Sequence, residues 1–423
     1  MTRTTLIGLL LAVMSVVSAP AWDWEWGVTL DNTTQGAFSE WYEEARLTQK
    51  LKTGIWSSGL SQLEGGGSFS FAATAGYTVT DDRAYLFDID LLRITGRFPQ
   101  VVGPRSFLQA TAGRTRFADP TGLVINHVAD GGIARLTVPW GRFRLAAAYS
   151  GFLLSPSSSI RISQTDYLEQ SADSEFFGPR RMIGLLDATF GSATLFAVAQ
   201  FDLRDEADGD SIDTQYFGLN VAGRVSDSLF SETLLIVSTG RTAVGAAEDS
   251  LFSFVFGTGV RWFAEERRFS QASARALVAT PFLPLEEDIG INISEYRPIT
   301  EPTFGLVFNP RLSNLILAEG TYSIRPFAGP VRHAADSLRL SVAGRMFLRA
   351  YKGDSDYLAA MNPDSDALYL GTEMELGVSA VILTDLRLGL RGGAFVPNSG
   401  TGGAFAAERA AEWVVRFDLT TAL

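Results

Sequence analysis

From residue 22 onward the chain is paved with segments of about ten residues in which apolar and polar side chains alternate, a pattern that presents one apolar face only if each segment is a β-strand. "GSFSFAATAGYTVT" sets Phe69, Phe71, Ala73, Ala75, Tyr77 and Val79 on one face. "AYLFDIDLL" sets Tyr85, Phe87, Ile89 and Leu91 against Asp88 and Asp90. "FRLAAAYSGFLL", "ATLFAVAQFDL", "SLRLSVAGRMFLRA", "LYLGTEMELGVSA" and "DLRLGLRGGAF" repeat the theme. Gly-, Asp-, Asn- and Pro-rich breaks separate the segments, as turns require. No helical period follows the first twenty residues, and no internal repeat of fixed length marks a propeller.

Two all-β architectures satisfy this pattern. A soluble sandwich buries its apolar face in a packed core. A membrane barrel turns that face to lipid and closes on itself, because lipid offers no hydrogen bonds to a sheet edge. The apolar face here mixes Ala, Gly and Thr with Phe, Tyr and Leu, a variety that acyl chains accommodate more readily than a close-packed core. The chain is 46% hydrophobic and only 19% charged, yet no stretch of the mature region is an apolar run of about 18 residues that would span as a helix. The pattern predicts a transmembrane antiparallel up-and-down β-barrel; the soluble sandwich is the alternative. Nineteen candidate segments, among them 25–33, 302–309 and 408–423, reduce to 18 strands by the even-number rule, with 16 as the fallback.

The first 21 residues carry Arg3, an apolar run from Leu6 to Val17, and Ala19 and Ala21 in a small-residue cleavage pattern. They predict a cleaved secretory signal peptide, leaving 22–423 as a single barrel domain. There is no cysteine, so no disulfide staples an exported chain of this size. A net charge of −12 argues against nucleic acid as a partner.

No catalytic set emerges. His127 and His333 are far apart, and no G-x-S-x-G elbow or H-E-x-x-H pair is present, so the chain reads as a non-enzyme without a cofactor or metal. The acidic stretches at Asp205–Asp213 and Asp354–Asp366 lack calcium-loop spacing and read as solvated loops; a loose divalent-ion contact with lipid phosphates is the other reading.

The charge-bearing candidates face the presumed lumen. They are Asp88, Asp90, Arg114, Arg116, Arg135, Arg142, Arg144, Glu373, Glu375, Arg387 and Arg391. A hairpin folded near Val381 and Ile382 would set residue 375 opposite 387, or 373 opposite 391. Opposite charges on neighbouring strands attract, and across a wet bore they set a field that tunes which solutes pass; mutual neutralisation for folding alone is the competing role. Two long inserts, Ser155–Arg180 and Pro281–Pro302, either fold into the bore or lie outside it.

The chain ends on "AAEWVVRFDLTTAL", with Trp413, Val415, Phe417, Leu419 and Leu423 alternating toward lipid and Glu412, Arg416 and Asp418 opposite. Together with the signal peptide and the alternating strands, this resembles Gram-negative-type outer-membrane β-barrel porins, whose apolar last strand is read by the barrel-assembly machinery. "GRTRFADPTGLVINHVADGG", with Gly113-Arg114, Asp119 and Asp130-Gly131, is similar to alginate-export-type barrels, although no alginate-binding residue matches. The resemblance implies an outer-membrane channel passing small polar solutes or ions by diffusion, as a monomer or trimer set in outer-membrane lipid. A structural or adhesin-type barrel acting through its surface loops is the second reading. A transporter of hydrophobic substrates, plugged by "WDWEWGVTLDNTTQGAFSEWYEEA", is the third.

Overall fold

The computed structural model describes residues 22–39, 45–81, 86–171, 176–204, 211–244, 247–281, 293–328, 334–352, 361–362, 364–406 and 409–422. The signal segment 1–21, His333, Leu423 and most of the two acidic stretches lie outside the described residues.

Eighteen antiparallel strands follow one another around a closed wall. They are β1 (Asp23–Ser39), β2 (Arg46–Gln62), β3 (Ser68–Thr80), β4 (Leu86–Pro99), β5 (Phe107–Ala118), β6 (Asn126–Val138), β7 (Gly141–Tyr149), β8 (Arg181–Phe190) and β9 (Ala193–Asp202). The ring continues with β10 (Ser211–Arg224), β11 (Leu229–Val244), β12 (Ala247–Ala264), β13 (Ser270–Ala279), β14 (Leu315–Ile324), β15 (Arg339–Arg349), β16 (Tyr369–Leu383), β17 (Leu386–Pro397) and β18 (Glu412–Ala422). One helix, α1 (Gln164–Ser171), sits in the connection from β7 to β8. No helix among the described residues is long and apolar enough to cross a membrane.

Closure is made by β18, which pairs with β1 from Thr29↔Ala422 to Ser39↔Glu412. The Thr33 hydroxyl donates to Asp418 at 2.9 Å across this seam. The aromatic segment at 22–39 is therefore a wall strand and not an inward plug. Two turn residues suffice between β6 and β7, between β8 and β9, and between β16 and β17, whereas the opposite end carries the long connections. Exposed aromatics ring both ends: Trp24, Trp140 and Phe190 at the short-turn end, and Phe38, Tyr77, Phe87, Phe152 and Trp413 at the other. Such girdles mark the two interfaces of a spanning barrel.

Three sequence expectations are corrected. Residues 302–309 form no strand; their alternating apolar residues serve an inward connection, as Phe304 and Phe308 are buried. The β16–β17 hairpin turns at 384–385, with a bulge at Ile382, so Gly377 faces Arg391 and Glu375 faces Gly393. A bulge also sets Thr74 opposite Leu91 but Ala75 opposite Ile89. The extra residue resets the alternation of β4: Leu92 and Ile94, not Leu91, continue the exposed outer row, and Arg93, Thr95 and Arg97 turn to the lumen.

Candidate functional site: a half-filled bore

Large apolar side chains occur on the inner face as well as the outer one. Phe196, Val198, Ile212, Ile236, Leu277, Leu315, Phe347 and Phe395 all point inward and are buried. Three connections descend from the long-loop end and cover them.

The first is the tip of the β5–β6 hairpin. Strand β5 pairs with β4 only up to Arg114↔Leu92, and β6 pairs with β7 only up to Asp130↔Tyr149. The two strands nevertheless continue pairing with each other as far as Ala118↔Asn126. Residues 115–129 thus leave the wall as a free-standing hairpin. Gly113 and Gly131 face each other where it departs. Gly113 has φ 116°, and a Cβ there would lie 2.1 Å from the Leu92 carbonyl; at Gly131 it would lie 2.0 Å from that of Ala147. The tip is held by Asp119, whose carboxylate accepts N–H groups from Thr121, Gly122, Val124 and Ile125. The G-R, acidic-turn, D-G stretch is therefore one structural unit.

The second connection carries α1. Asp166 meets Arg181 of β8 through both carboxylate oxygens, at 2.9 and 3.0 Å. Arg204 bridges Asp166 at 3.1 Å and Asp202 at 2.6 Å, while Arg181 also reaches Asp202 at 3.1 Å. All four charges are buried, which is tolerable only because each is paired. His127 receives the Ser159 N–H at 3.3 Å and is occupied in this contact.

The third connection, between β13 and β14, crosses the lumen. Its Ile299 and Thr300 N–H groups donate to the Val124 carbonyl, and the Tyr296 hydroxyl donates to that of Leu123. Its far side meets Glu373, fully buried, which accepts the N–H groups of Leu306, Val307 and Phe308 at 2.8, 3.2 and 2.7 Å. Phe308 stacks on Phe395 with ring centroids 4.2 Å apart, and Arg409 lies 4.1 Å from the Phe405 ring in the same cluster. Arg311 lies 4.3 Å over the Tyr167 ring, locking this strap to α1. The described parts of both long inserts are anchored inward.

Burial holds the strap's Glu301 above the usual carboxylate range, partly offset by the Leu312 N–H and Arg311. A raised folded-state pKa stabilises the protonated form, so the strap should be tightest at acid pH and loosen as pH rises through that value. Amide exchange at residues 299–312 should accelerate with pH beyond its intrinsic rate in the wild type and not in Glu301→Gln.

These connections cover the buried inward side chains of β8–β17. Along β2–β7 a cavity of about 590 Å³ remains, lined by Arg93, Arg97, Arg116, Arg135 and Arg144 with Ser70, Thr95, Gln109 and Thr111. Arg144 pairs with Asp187, whereas Arg93, Arg97, Arg116 and Arg135 have no carboxylate partner among the described residues. On the opposite wall the charges alternate and cancel: Arg275–Glu319–Arg345–Glu375, then Arg391–Asp418–Arg416. Glu375 and Arg391 approach at 4.0 Å despite the shifted register.

The other sequence candidates are dispersed. Asp90 pairs with Lys52 at 2.5 Å. Arg142 and Arg387 lie one residue from the short turns at 139–140 and 384–385 and do not line the cavity. Arg114 and Asp88 are joined at the hairpin's departure point, with the Arg114 guanidinium in the wall. Trp413 stands beside Phe38 at the long-loop end, and Val415, Phe417 and Leu419 follow it down the closing strand. Arg93 and Arg97 were missed because the β4 bulge is invisible to a strict period of two. No group of three or more His, Cys, Asp or Glu among the described residues could hold a metal ion.

No model of a known protein family matches the chain, and no curated protein matches it. Solved structures do. Pseudomonas aeruginosa OpdQ aligns at 9% identity with a TM-score of 0.59, covering 95% of this chain and 98% of that one. Pseudomonas aeruginosa OpdO aligns at 14% identity with a TM-score of 0.58, covering 95% and 97%. Acinetobacter baumannii OccAB3 aligns at 12% identity with a TM-score of 0.56, covering 95% and 100%. At such identities the likeness is one of fold: this chain has the 18-stranded architecture of the OccK and OprD outer-membrane porins of Pseudomonas.

Proposed function

We propose that this protein is an outer-membrane channel through which small polar solutes diffuse passively, and that its wet lane favours anions. The observation that carries the reading is the arginine-lined cavity left beside the straps. Four guanidinium groups without a carboxylate partner among the described residues line it, while the charges of the opposite wall cancel in pairs. Residues 1–21 direct export in this reading, the apolar row of β18 serves the assembly machinery, and lipid surrounds the outer face. The inward anchoring of the described parts of both long inserts weakens the adhesin reading.

Purified protein in planar bilayers should conduct in discrete steps, and its reversal potential in a salt gradient should show anion preference. Replacing Arg93 and Arg135 with Gln should move that potential toward cation preference; Arg142→Ala should move it little. A folded barrel that never conducts sinks the channel reading, and an unmoved potential sinks the lane assignment.

A further inference from the structure

Withdrawing a hairpin from a barrel wall leaves its neighbours unpaired, a costly state where no water can substitute. Strand β4 keeps its β3 partner as far as Leu86↔Thr78, but above Leu92 its other edge pairs with no strand among the described residues. Strand β7 likewise stops pairing with β6 at Tyr149. A seam therefore opens between Leu86–Leu91 and the chain after Tyr149, at the height of the exposed Tyr77, Phe87 and Phe152.

One side chain lies in this seam. Arg114 stands in a row with Leu92, Asp130 and Tyr149, and Leu92 is exposed on the outer face. A guanidinium in such a row is unfavourable unless every donor is used. The Arg114 Nε and Nη2 form a fork on Asp130 at 3.0 and 2.8 Å. Its Nη1 donates to the Asp88 carboxylate at 3.2 Å and to the Ile89 carbonyl at 2.9 Å, both on β4. Its Nη2 also donates to the Phe152 carbonyl at 2.8 Å, beyond β7. One planar group thus touches the hairpin and both edges of the gap, at the level of the glycine pair where the hairpin turns inward. The side chain is only 12% exposed.

We propose that Arg114 is the positioning residue of the bore: it sutures the seam and fixes the angle at which the β5–β6 hairpin enters the lumen, and so sets the width of the arginine lane. This rests on the channel reading for its effect on conduction but not for its effect on structure. The rigid fork is the working feature, so Lys at this position keeps the charge and loses the geometry.

The test uses the full chain in lipid. In Arg114→Ala, amide exchange should accelerate about tenfold or more at residues 115–118 and 126–129, which open as one local unit, while residues 107–112 of the same sheet stay protected. Single-channel conductance should rise about twofold as the hairpin retreats. Arg114→Lys should resemble Arg114→Ala, and Asp88→Ala, which removes the carboxylate link to β4 and leaves the Ile89 carbonyl and the fork, should shift both readouts the same way by less. If Arg114→Ala does not assemble, Asp88→Ala alone carries the test. Equal loss of protection in both halves, or no change in either, overturns the proposal. The expected exchange pattern in a barrel whose wild type does not conduct upholds the suture and defeats the channel reading.

Discussion

Replacing Arg181 with Met should release the α1 connection from the wall. The substitution leaves Asp166 and Asp202 buried with only Arg204 between them. Removing one partner of a buried ion pair costs about 3–5 kcal/mol. The wall shares that cost at Asp202 and Gln200 of β9, but its backbone ladders do not depend on the side chain, so the connection should give way first. Trypsin added to reconstituted protein should then cut after Arg161, which the wild type should resist. Conductance should rise and become noisy. Resistance to trypsin equal to that of the wild type would show that the four-charge cluster does not hold the connection.

Glu373→Ala should free the other end of the crossing strap. Three N–H groups lose their acceptor, and Arg345 keeps only Glu319 and Glu375. Each buried donor left unsatisfied costs about 1–3 kcal/mol. The same anchor is strained by Gly305→Ala, since a Cβ there would lie 2.2 Å from the Phe308 carbonyl and 2.5 Å from the Glu373 carboxylate. Both variants should lose amide protection at residues 306–308 while the β15–β16 ladder keeps its own. Retained protection in both would place the anchor in the aromatic cluster around Phe308 instead.

The wall was legible in the sequence because lipid and pleat impose one rule on every strand: side chains alternate. The same rule misled at 302–309, where Phe304 and Phe308 alternate toward a core made inside the barrel. The shift of register at Arg391 came mainly from the turn, which lies at 384–385 and not near 381–382, and the bulge at Ile382 adds one residue that leaves no mark in a strand still apolar on one face. The direction of the long inserts was hidden for a different reason. Glu373 finds its partners 65–67 residues earlier in the chain, and Tyr296 meets Leu123 across 173 residues, so neither anchor is a local pattern. The stretch from Gly113 to Gly132 was legible as a unit but not as a departure from the wall. Its glycines make sense only beside the carbonyls of Leu92 and Ala147.

The crossing strap joins the β5–β6 hairpin on one side of the ring to β16 on the other. An empty cylinder of this kind yields by flattening into an ellipse when it is squeezed sideways, since only the hinge-like contacts between strands resist. A member spanning the diameter, fixed at both ends by buried hydrogen bonds, acts as a spoke and opposes that distortion. In the channel reading, such a spoke holds the aperture against lateral pressure from a surrounding bilayer.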